Sequence, residues 1–173
     1  MPHRVVVIGV GNGMRGDDAV GLEVARRLAD LNGQSGIAVL AHEGEGVTLL
    51  ELWAGAGAVV LVDSVRSGAA PGTIVRIDAC AAPVLVPLQR TSSHATGVAQ
   101  AIEFARILGR LPATVIVYGI EGAAYSLGSA LSEPVRVAVV AAARAVRDEA
   151  LTLVRDAAEP AIRERPIESA HSY

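Results

Sequence analysis

The stretch VVVIGVGNGMRGDD, residues 5–18, decides the fold of this chain. Its first four residues, Val5 to Ile8, form a continuous apolar run, which is typical of a strand buried on both faces of a sheet. The glycines that follow predict a tight turn, and the acidic pair Asp17 and Asp18 predicts the start of a helix that runs to Leu28. A strand that leads through a turn into a helix is the first half of an α/β repeat.

Apolar runs and helical patterns alternate along the rest of the chain. Strands are predicted at 37–40, 59–62, 73–77 and 114–117, and helices at 47–53, at about 94–108 with Ser92 or Ser93 as its cap, and from Ser132 onward. This order predicts one α/β domain over residues 1–157, a three-layer α/β/α sandwich around a twisted, mainly parallel five-stranded sheet. Residues 158–173, with two prolines and mixed charge, are predicted to be a flexible C-terminal tail.

Composition and charge exclude several classes of protein. The formal net charge is −3, from 15 Lys and Arg against 18 Asp and Glu, so the chain lacks the basic balance of a nucleic-acid-binding protein. Its single cysteine, Cys80, rules out an intramolecular disulfide and a multi-cysteine zinc module. No segment has the apolar length of a membrane helix or the pattern of a signal peptide. We therefore expect a cytoplasmic monomer with neither nucleic acid nor membrane as a partner.

The glycine-rich turn has two interpretations. Gly11, Gly13 and Gly16 match the pattern G-x-G-x-x-G between a strand and a helix, and Glu43 follows the second strand as a ribose-binding acid would. Against dinucleotide binding, two carboxylates occupy the helix start where a diphosphate would lie. Like charges a few ångströms apart cost roughly 1 to 4 kcal/mol. The Rossmann-like interpretation is therefore the less favoured alternative.

Three polar residues far apart in sequence are candidates for one metal site. Asp18 follows the first strand, Asp63 ends the third, and His94 follows a loop that can return to the same edge of the sheet. Two carboxylates and an imidazole suit nickel, zinc, manganese or iron, and leave positions for water or substrate. Each has a simpler interpretation: Asp63 can accept bonds from loop amides, and His94 can lie at the surface. Of the acidic pair, we expect Asp17 to cap the helix and Asp18 to face the cleft.

The order of several short blocks resembles the hydrogenase maturation proteases, endopeptidases that trim the large subunits of nickel–iron hydrogenases. The resemblance runs from about Val5 to Val139. Its blocks are Val7-Ile8-Gly9-Val10-Gly11-Asn12, Asp17-Asp18-Ala19-Val20-Gly21, Val62-Asp63, Ser93-His94 with Gly97, Tyr118-Gly119-Ile120-Glu121 and Gly128-Ser129-Ala130-Leu131-Ser132. One block departs from the pattern, because Ala41-His42-Glu43-Gly44-Glu45-Gly46 replaces a segment that often reads Asp-Gly-Gly-Thr.

The resemblance implies a function and a set of site residues. Members remove a C-terminal peptide from the large-subunit precursor after nickel insertion, and the nickel is carried by that substrate, so no organic cofactor is expected. Asp18, Asp63 and His94 take the places of the metal-contacting and catalytic residues. Asn12, Asp17 and Glu43, with the amides of the glycine loop, are candidates for positioning the substrate. A further alternative is a non-catalytic partner in hydrogenase assembly.

Overall fold

The computed structural model describes residues 4–43, 46–81 and 97–158. Within them the strands are β1 (Val5–Val10), β2 (Ile37–His42), β3 (Ala58–Val65), β4 (Ile74–Asp78) and β5 (Thr114–Glu121). The helices are α1 (Val20–Arg27), α2 (Gly46–Leu52), α3 (Val98–Ile107) and α4 (Glu133–Ala158), and a 3₁₀ turn at Gly16–Ala19 leads into α1. The tail predicted beyond Ala158 lies outside the described residues.

The five strands form one sheet in the order β2-β1-β3-β5-β4. β1 pairs in parallel with β2 and β3, and β3 pairs in parallel with β5. Only the edge strand β4 runs antiparallel, against β5. The predicted mainly parallel, five-stranded α/β sheet is therefore confirmed.

Helices cover both faces of the sheet, because successive residues of a strand point to opposite sides. Val5 and Val7 of β1 face a core shared with α1 and α4, whereas Val6 and Ile8 face a second core with α2 and α3. The fully buried side chains are mostly aliphatic, which agrees with a composition of only 3% aromatic residues. Among the described helices, including α4 with its 26 residues, none is long and apolar enough to cross a membrane.

Several predicted boundaries are wrong, most clearly those of β3, β5 and α3. β3 continues past Asp63 to Val65 and β5 past Val117 to Glu121, because the ladder between them extends beyond the apolar runs. α3 begins at Val98 rather than near His94, and its N-cap is Gly97 rather than Ser92 or Ser93. Gly97 has an extended backbone (φ −73°, ψ 176°), so the helix begins at the next residue.

Two glycines let α1 lie directly on the carboxyl ends of the strands. A Cβ on Gly9 of β1 would stand 2.0 Å from the carbonyl oxygen of Gly21 in α1. A Cβ on Gly21 would stand 2.3 Å from the carbonyl oxygens of both Val10 and Val62. This contact places the turn before α1, which carries Asp18, above the ends of β1 and β3.

Replacing Gly21 by alanine is expected to destabilise the fold by about 1–3 kcal/mol or more, because the new methyl group meets backbone atoms that cannot rotate away. Urea unfolding of the purified variant measures the change. Gly97→Ala is the matched control, since a Cβ there has no neighbour within 4 Å among the described residues and its φ is already negative. Equal stability of the Gly21→Ala variant and the wild type would contradict the close contact.

Candidate active site

The candidate site lies where the carboxyl ends of β1 and β3 meet. In the order β2-β1-β3-β5-β4, β2 lies on one side of β1 and β3 on the other, so the strand order reverses at β1. In sheets of this kind a crevice forms beyond the carboxyl ends of the two strands at the reversal, here β1 and β3. Ligands of open parallel sheets bind at such a switch point. Asp18 follows β1, and Asp63 lies near the end of β3, paired with Gly119 of β5.

Asp18 and Asp63 lie close enough for the charge of one to affect the pKa of the other. Burial raises the pKa of Asp63 to about 8, against the opposing effect of a hydrogen bond from the Ser64 amide, and the charge of Asp18 adds to the increase. The Ser64 bond is 2.8 Å long and fixes the Asp63 carboxylate, which is itself half-buried. Because the charge of Asp18 contributes to the raised pKa of Asp63, a cation, or a proton, placed between the two carboxyl groups relieves their repulsion.

The third predicted ligand, His94, lies outside the described residues. Within the part of the chain that is described, no three His, Cys, Asp or Glu side chains form a group able to hold a metal ion. The described half of the proposed site is therefore the carboxylate pair of Asp18 and Asp63. The imidazole as a third ligand stays a prediction.

Asp17 does not cap the helix, which corrects the sequence-based prediction. Its side chain is fully buried, and its two oxygens accept four hydrogen bonds from the segment after β5. Oδ2 accepts from the amides of Ala123 (2.7 Å) and Ala124 (2.8 Å) and from the Ser132 hydroxyl (2.8 Å). Oδ1 accepts from the Ser132 amide (2.6 Å). Asp17 therefore positions a loop and is too deeply buried to contact a substrate.

The hydrogen bonds around Asp17 keep it ionised in spite of its burial. Burial alone raises the pKa of this carboxyl, but the bonds from Ala124, Ala123 and Ser132 together bring it below its ordinary value. A buried carboxylate with several N–H and O–H donors is stabilised in its charged form. The sequence signal was present, because Asp17 and Ser132 lie in two separate blocks of the family resemblance, but their contact was not predicted.

Most amides of the glycine loop already donate hydrogen bonds within the protein. The loop and turn amides of Gly11, Asn12, Arg15, Gly16, Asp17 and Asp18 donate to backbone carbonyls, and that of Met14 donates to the side chain of Asn12. Diphosphate binding needs bare N–H groups at this position. The arrangement therefore argues against the dinucleotide interpretation, and it also corrects the expectation that these amides position a substrate backbone.

Asn12 and Glu43 flank the glycine loop in different ways. The Asn12 Oδ1 atom accepts the Met14 amide at 2.9 Å, so this side chain shapes the loop. Glu43 is exposed, and its carboxylate lies against Gly13, where a Cβ would stand 3.1 Å from Oε1. Gly44 and Glu45, in the block that departs from the family pattern, lie outside the described residues. A role of Glu43 in positioning substrate stays a prediction.

A second group of contacts, which sequence reasoning missed, holds the other wall of the crevice. The hydroxyls of Ser64 and Tyr125 are 2.6 Å apart, and the Arg66 guanidinium lies 4.0 Å from the centroid of the Tyr125 ring. A Cβ on Gly122 would stand 2.2 Å from the Tyr125 hydroxyl, so only glycine leaves room for this bond. The residue after Asp63 is therefore tied to the loop that follows β5.

Glu121 completes this wall at the end of β5. Its carboxylate is buried and accepts hydrogen bonds from the Ser67 amide and hydroxyl and from the Gly68 amide, at 2.7–3.0 Å. Burial raises the pKa of Glu121, but these bonds and the charge of Arg66 lower it below its ordinary value. Two buried, ionised carboxylates, Asp17 and Glu121, thus fix the loops, whereas Asp18 and Asp63 remain half-buried beside the crevice.

Comparison with known proteins finds relatives and solved structures that are named for hydrogenase formation or maturation. It is 28% identical over 152 residues to the hydrogenase expression/formation protein HupD of Rhodobacter capsulatus, which covers 84% of this chain and 72% of that protein. The [NiFe] hydrogenase maturation protease HybD of Thermococcus kodakarensis superposes with a TM-score of 0.67 at 25% identity, over 85% of this chain and 99% of that one. The hydrogenase maturating endopeptidase HybD of E. coli shares the fold, with a TM-score of 0.71 at 22% identity, over 89% of this chain and 93% of that one.

A family model also matches this chain. The model described as hydrogenase maturation protease matches residues 23–149, a range that includes Asp63 and His94 and begins just after Asp18. The match covers most of the α/β domain, and the resemblance inferred from short sequence blocks is confirmed. The chain belongs to the hydrogenase maturation protease family.

Proposed function

We propose that this protein is a cytoplasmic, monomeric endopeptidase that removes the C-terminal extension of a nickel–iron hydrogenase large-subunit precursor after nickel insertion. The observation that carries the proposal is the convergence of the Asp18 and Asp63 carboxylates at the switch point of the sheet. The family of the chain supports proteolysis as the reaction. In this proposal the nickel belongs to the substrate, and its presence marks a precursor that is ready for cleavage.

The oxygen ligands of the carboxylate pair suit a metal ion that the substrate carries. Carboxylate oxygens are hard ligands and, with the imidazole of His94, form a mixed N/O set that accepts nickel. Thiolates of a precursor bind the same ion more strongly, so an oxygen-rich site can contact it without extracting it. A cation between Asp18 and Asp63 also relieves the repulsion that contributes to the raised pKa of Asp63.

Two routes to hydrolysis use these residues. A substrate-borne metal polarises the scissile carbonyl or lowers the pKa of a water molecule. In the second route Asp63, whose pKa is raised to about 8, accepts a proton from the attacking water as a general base. In both routes the Ser64 amide orients the Asp63 carboxylate, and the loops tied by Asp17 and Glu121 hold the walls of the crevice.

The decisive experiment incubates the purified protein with a nickel-loaded and a nickel-free precursor, and measures the mass of the large subunit afterwards. We expect a product shortened at its C-terminus from the nickel-loaded precursor alone. Complex formation without a shortened product would instead indicate a non-catalytic assembly partner. Equal cleavage of both precursors would contradict recognition of nickel and leave the proteolytic activity standing.

A further inference from the structure

Two exposed apolar side chains lie on neighbouring loops, one of which is the glycine loop that leads to Asp18. Met14 of the glycine loop is 62% exposed, and Leu127 of the loop after β5 is 79% exposed. Large apolar groups left in water in this way mark surfaces that a partner covers when they occur together beside a site. The other strongly exposed apolar side chains of the described residues lie on β4, α3 and α4.

The two loops that carry these side chains form one fixed surface. The Gly128 amide donates to the Met14 carbonyl at 2.7 Å, and the Gly16 amide donates to the Ser129 carbonyl at 3.2 Å. The Asp17 amide adds a bond of 2.7 Å to the Ala124 carbonyl, alongside the four bonds to the Asp17 carboxylate. Met14 and Leu127 are therefore presented by a preorganised backbone, which lowers the entropy lost on binding.

A cleft of about 310 Å³ opens beside the same two loops. Its lining residues come from the glycine loop, α1 and the segment before α4: Gly13, Gly16, Ala19, Leu22, Ser129 and Leu131. The two charged side chains at its edge, Glu23 and Arg26, form an ion pair of 2.6 Å with each other. The lining thus combines small and apolar side chains with this ion pair, and the exposed Glu43 carboxylate lies against Gly13 at one side. The apolar part of the lining favours an apolar occupant.

We propose that Met14, Leu127 and the adjoining cleft form the docking surface for an apolar segment of the large-subunit precursor. The inference rests on the proposed function, because a precursor whose scissile bond lies beside Asp18 must cover the loop that holds Asp18. The docking surface belongs to that loop and to the loop bonded to it. It supplies affinity for the precursor, whereas the carboxylates supply the chemistry.

The test compares two double variants. Replacing Met14 and Leu127 by serine removes the docking surface, whereas replacing Phe104 and Ile107 by serine removes two apolar side chains, 45% and 81% exposed, from α3 on the other face of the sheet. We expect the Met14→Ser/Leu127→Ser variant to raise KM for the nickel-loaded precursor at least fivefold, with kcat within about twofold of the wild type. The α3 variant is expected to keep the KM of the wild type.

A binding measurement separates affinity from turnover. In a chain that also carries Asp63→Asn, interferometry with immobilised nickel-loaded precursor gives Kd for a complex that is not consumed. A rise in Kd of at least fivefold for Met14→Ser/Leu127→Ser, with an unchanged melting temperature, supports the docking surface. Unchanged KM and Kd, or an equal rise from the α3 variant, would overturn it while the wild type still cleaves. If the wild type itself leaves the precursor intact, the proposed function fails instead.

Discussion

Replacing Asp63 by asparagine is expected to reduce the rate of precursor processing by roughly 10²- to 10⁴-fold, the range that a positioned acid–base group contributes. The amide keeps the shape of the side chain and an oxygen that can accept the Ser64 N–H, but it cannot take up a proton or offer a negative oxygen to a cation. Single-turnover assays with nickel-loaded precursor measure the loss. A rate within threefold of the wild type would remove Asp63 from the mechanism.

The same variant is expected to be at least as stable as the wild type, which distinguishes a functional residue from a structural one. The pKa of Asp63 is raised to about 8, so the folded state holds a proton that the unfolded chain releases near the ordinary carboxyl pKa. Stability of the wild type should therefore fall as the pH rises from about 4 toward 8, and Asp63→Asn should lack this decrease. Thermal unfolding between these pH values tests the sign. Active sites often carry such a stability cost.

Asp78→Asn is the matched control for Asp63→Asn. Asp78 also ends a strand, and its Oδ1 accepts the amides of Cys80 and Ala81 at 2.9 and 3.2 Å. Because β4 runs antiparallel to its neighbour, Asp78 lies at the opposite edge of the sheet from the crevice. We expect Asp78→Asn to process precursor at the rate of the wild type. A comparable loss in both variants would indicate a general effect of removing a strand-end carboxylate.

Replacing Asp17 by alanine is expected to lower the free energy of unfolding by about 3–5 kcal/mol. The substitution leaves the amides of Ala123, Ala124 and Ser132 without their acceptor, and a hydrogen bond to a charged group contributes about 1.5–3 kcal/mol. Urea unfolding measures the stability at neutral pH. The hydrogen-exchange rates of these three amides should rise even below the urea transition, because their acceptor is gone.

The pH dependence of this contribution has the opposite sign to that of Asp63. The pKa of Asp17 is lowered in the folded state, so its stabilisation is complete at neutral pH and is lost as the pH falls through the ordinary carboxyl range. Asp30→Ala is the control, because Asp30 forms an exposed ion pair of 2.7 Å with Arg147, and such pairs contribute little. If Asp17→Ala lowered the free energy of unfolding as little as Asp30→Ala does, the loop would not depend on Asp17.

The sequence predicted the layers of the fold because their physical cause is local. Runs such as Val5 to Ile8 and Val59 to Val62 are apolar at every position, and only a strand covered on both faces can bury them completely. The ends of β3 and β5 were placed too early, because the ladder continues through Ser64 and Ile120 after the continuous apolar run has ended. Pairing between distant strands, not hydrophobicity, sets those boundaries.

The site was predicted only in part, for a related reason. Asp18 follows β1 and Asp63 lies near the end of β3, and because these strands are neighbours, topology places both residues at one edge of the sheet. The role of Asp17 depends on Ser132, which is 115 positions away, and no local pattern distinguishes an acid that caps a helix from one that binds a distant loop. The hydrogen bonds of the glycine-loop amides likewise depend on residues distant in sequence, because the carbonyls of His42, Ala124 and Ser129 accept three of them.

The bond from Ser132 to Asp17 also sets an order of events during synthesis. Contacts between residues so far apart in sequence form late, since the intervening chain must first be made and folded. β1, β3 and α1 can assemble on a growing polypeptide, whereas the loop that carries Met14 is fastened only after residue 132 has left the ribosome. The loop before α1 therefore reaches its final form only after the segment that follows β5 has been made.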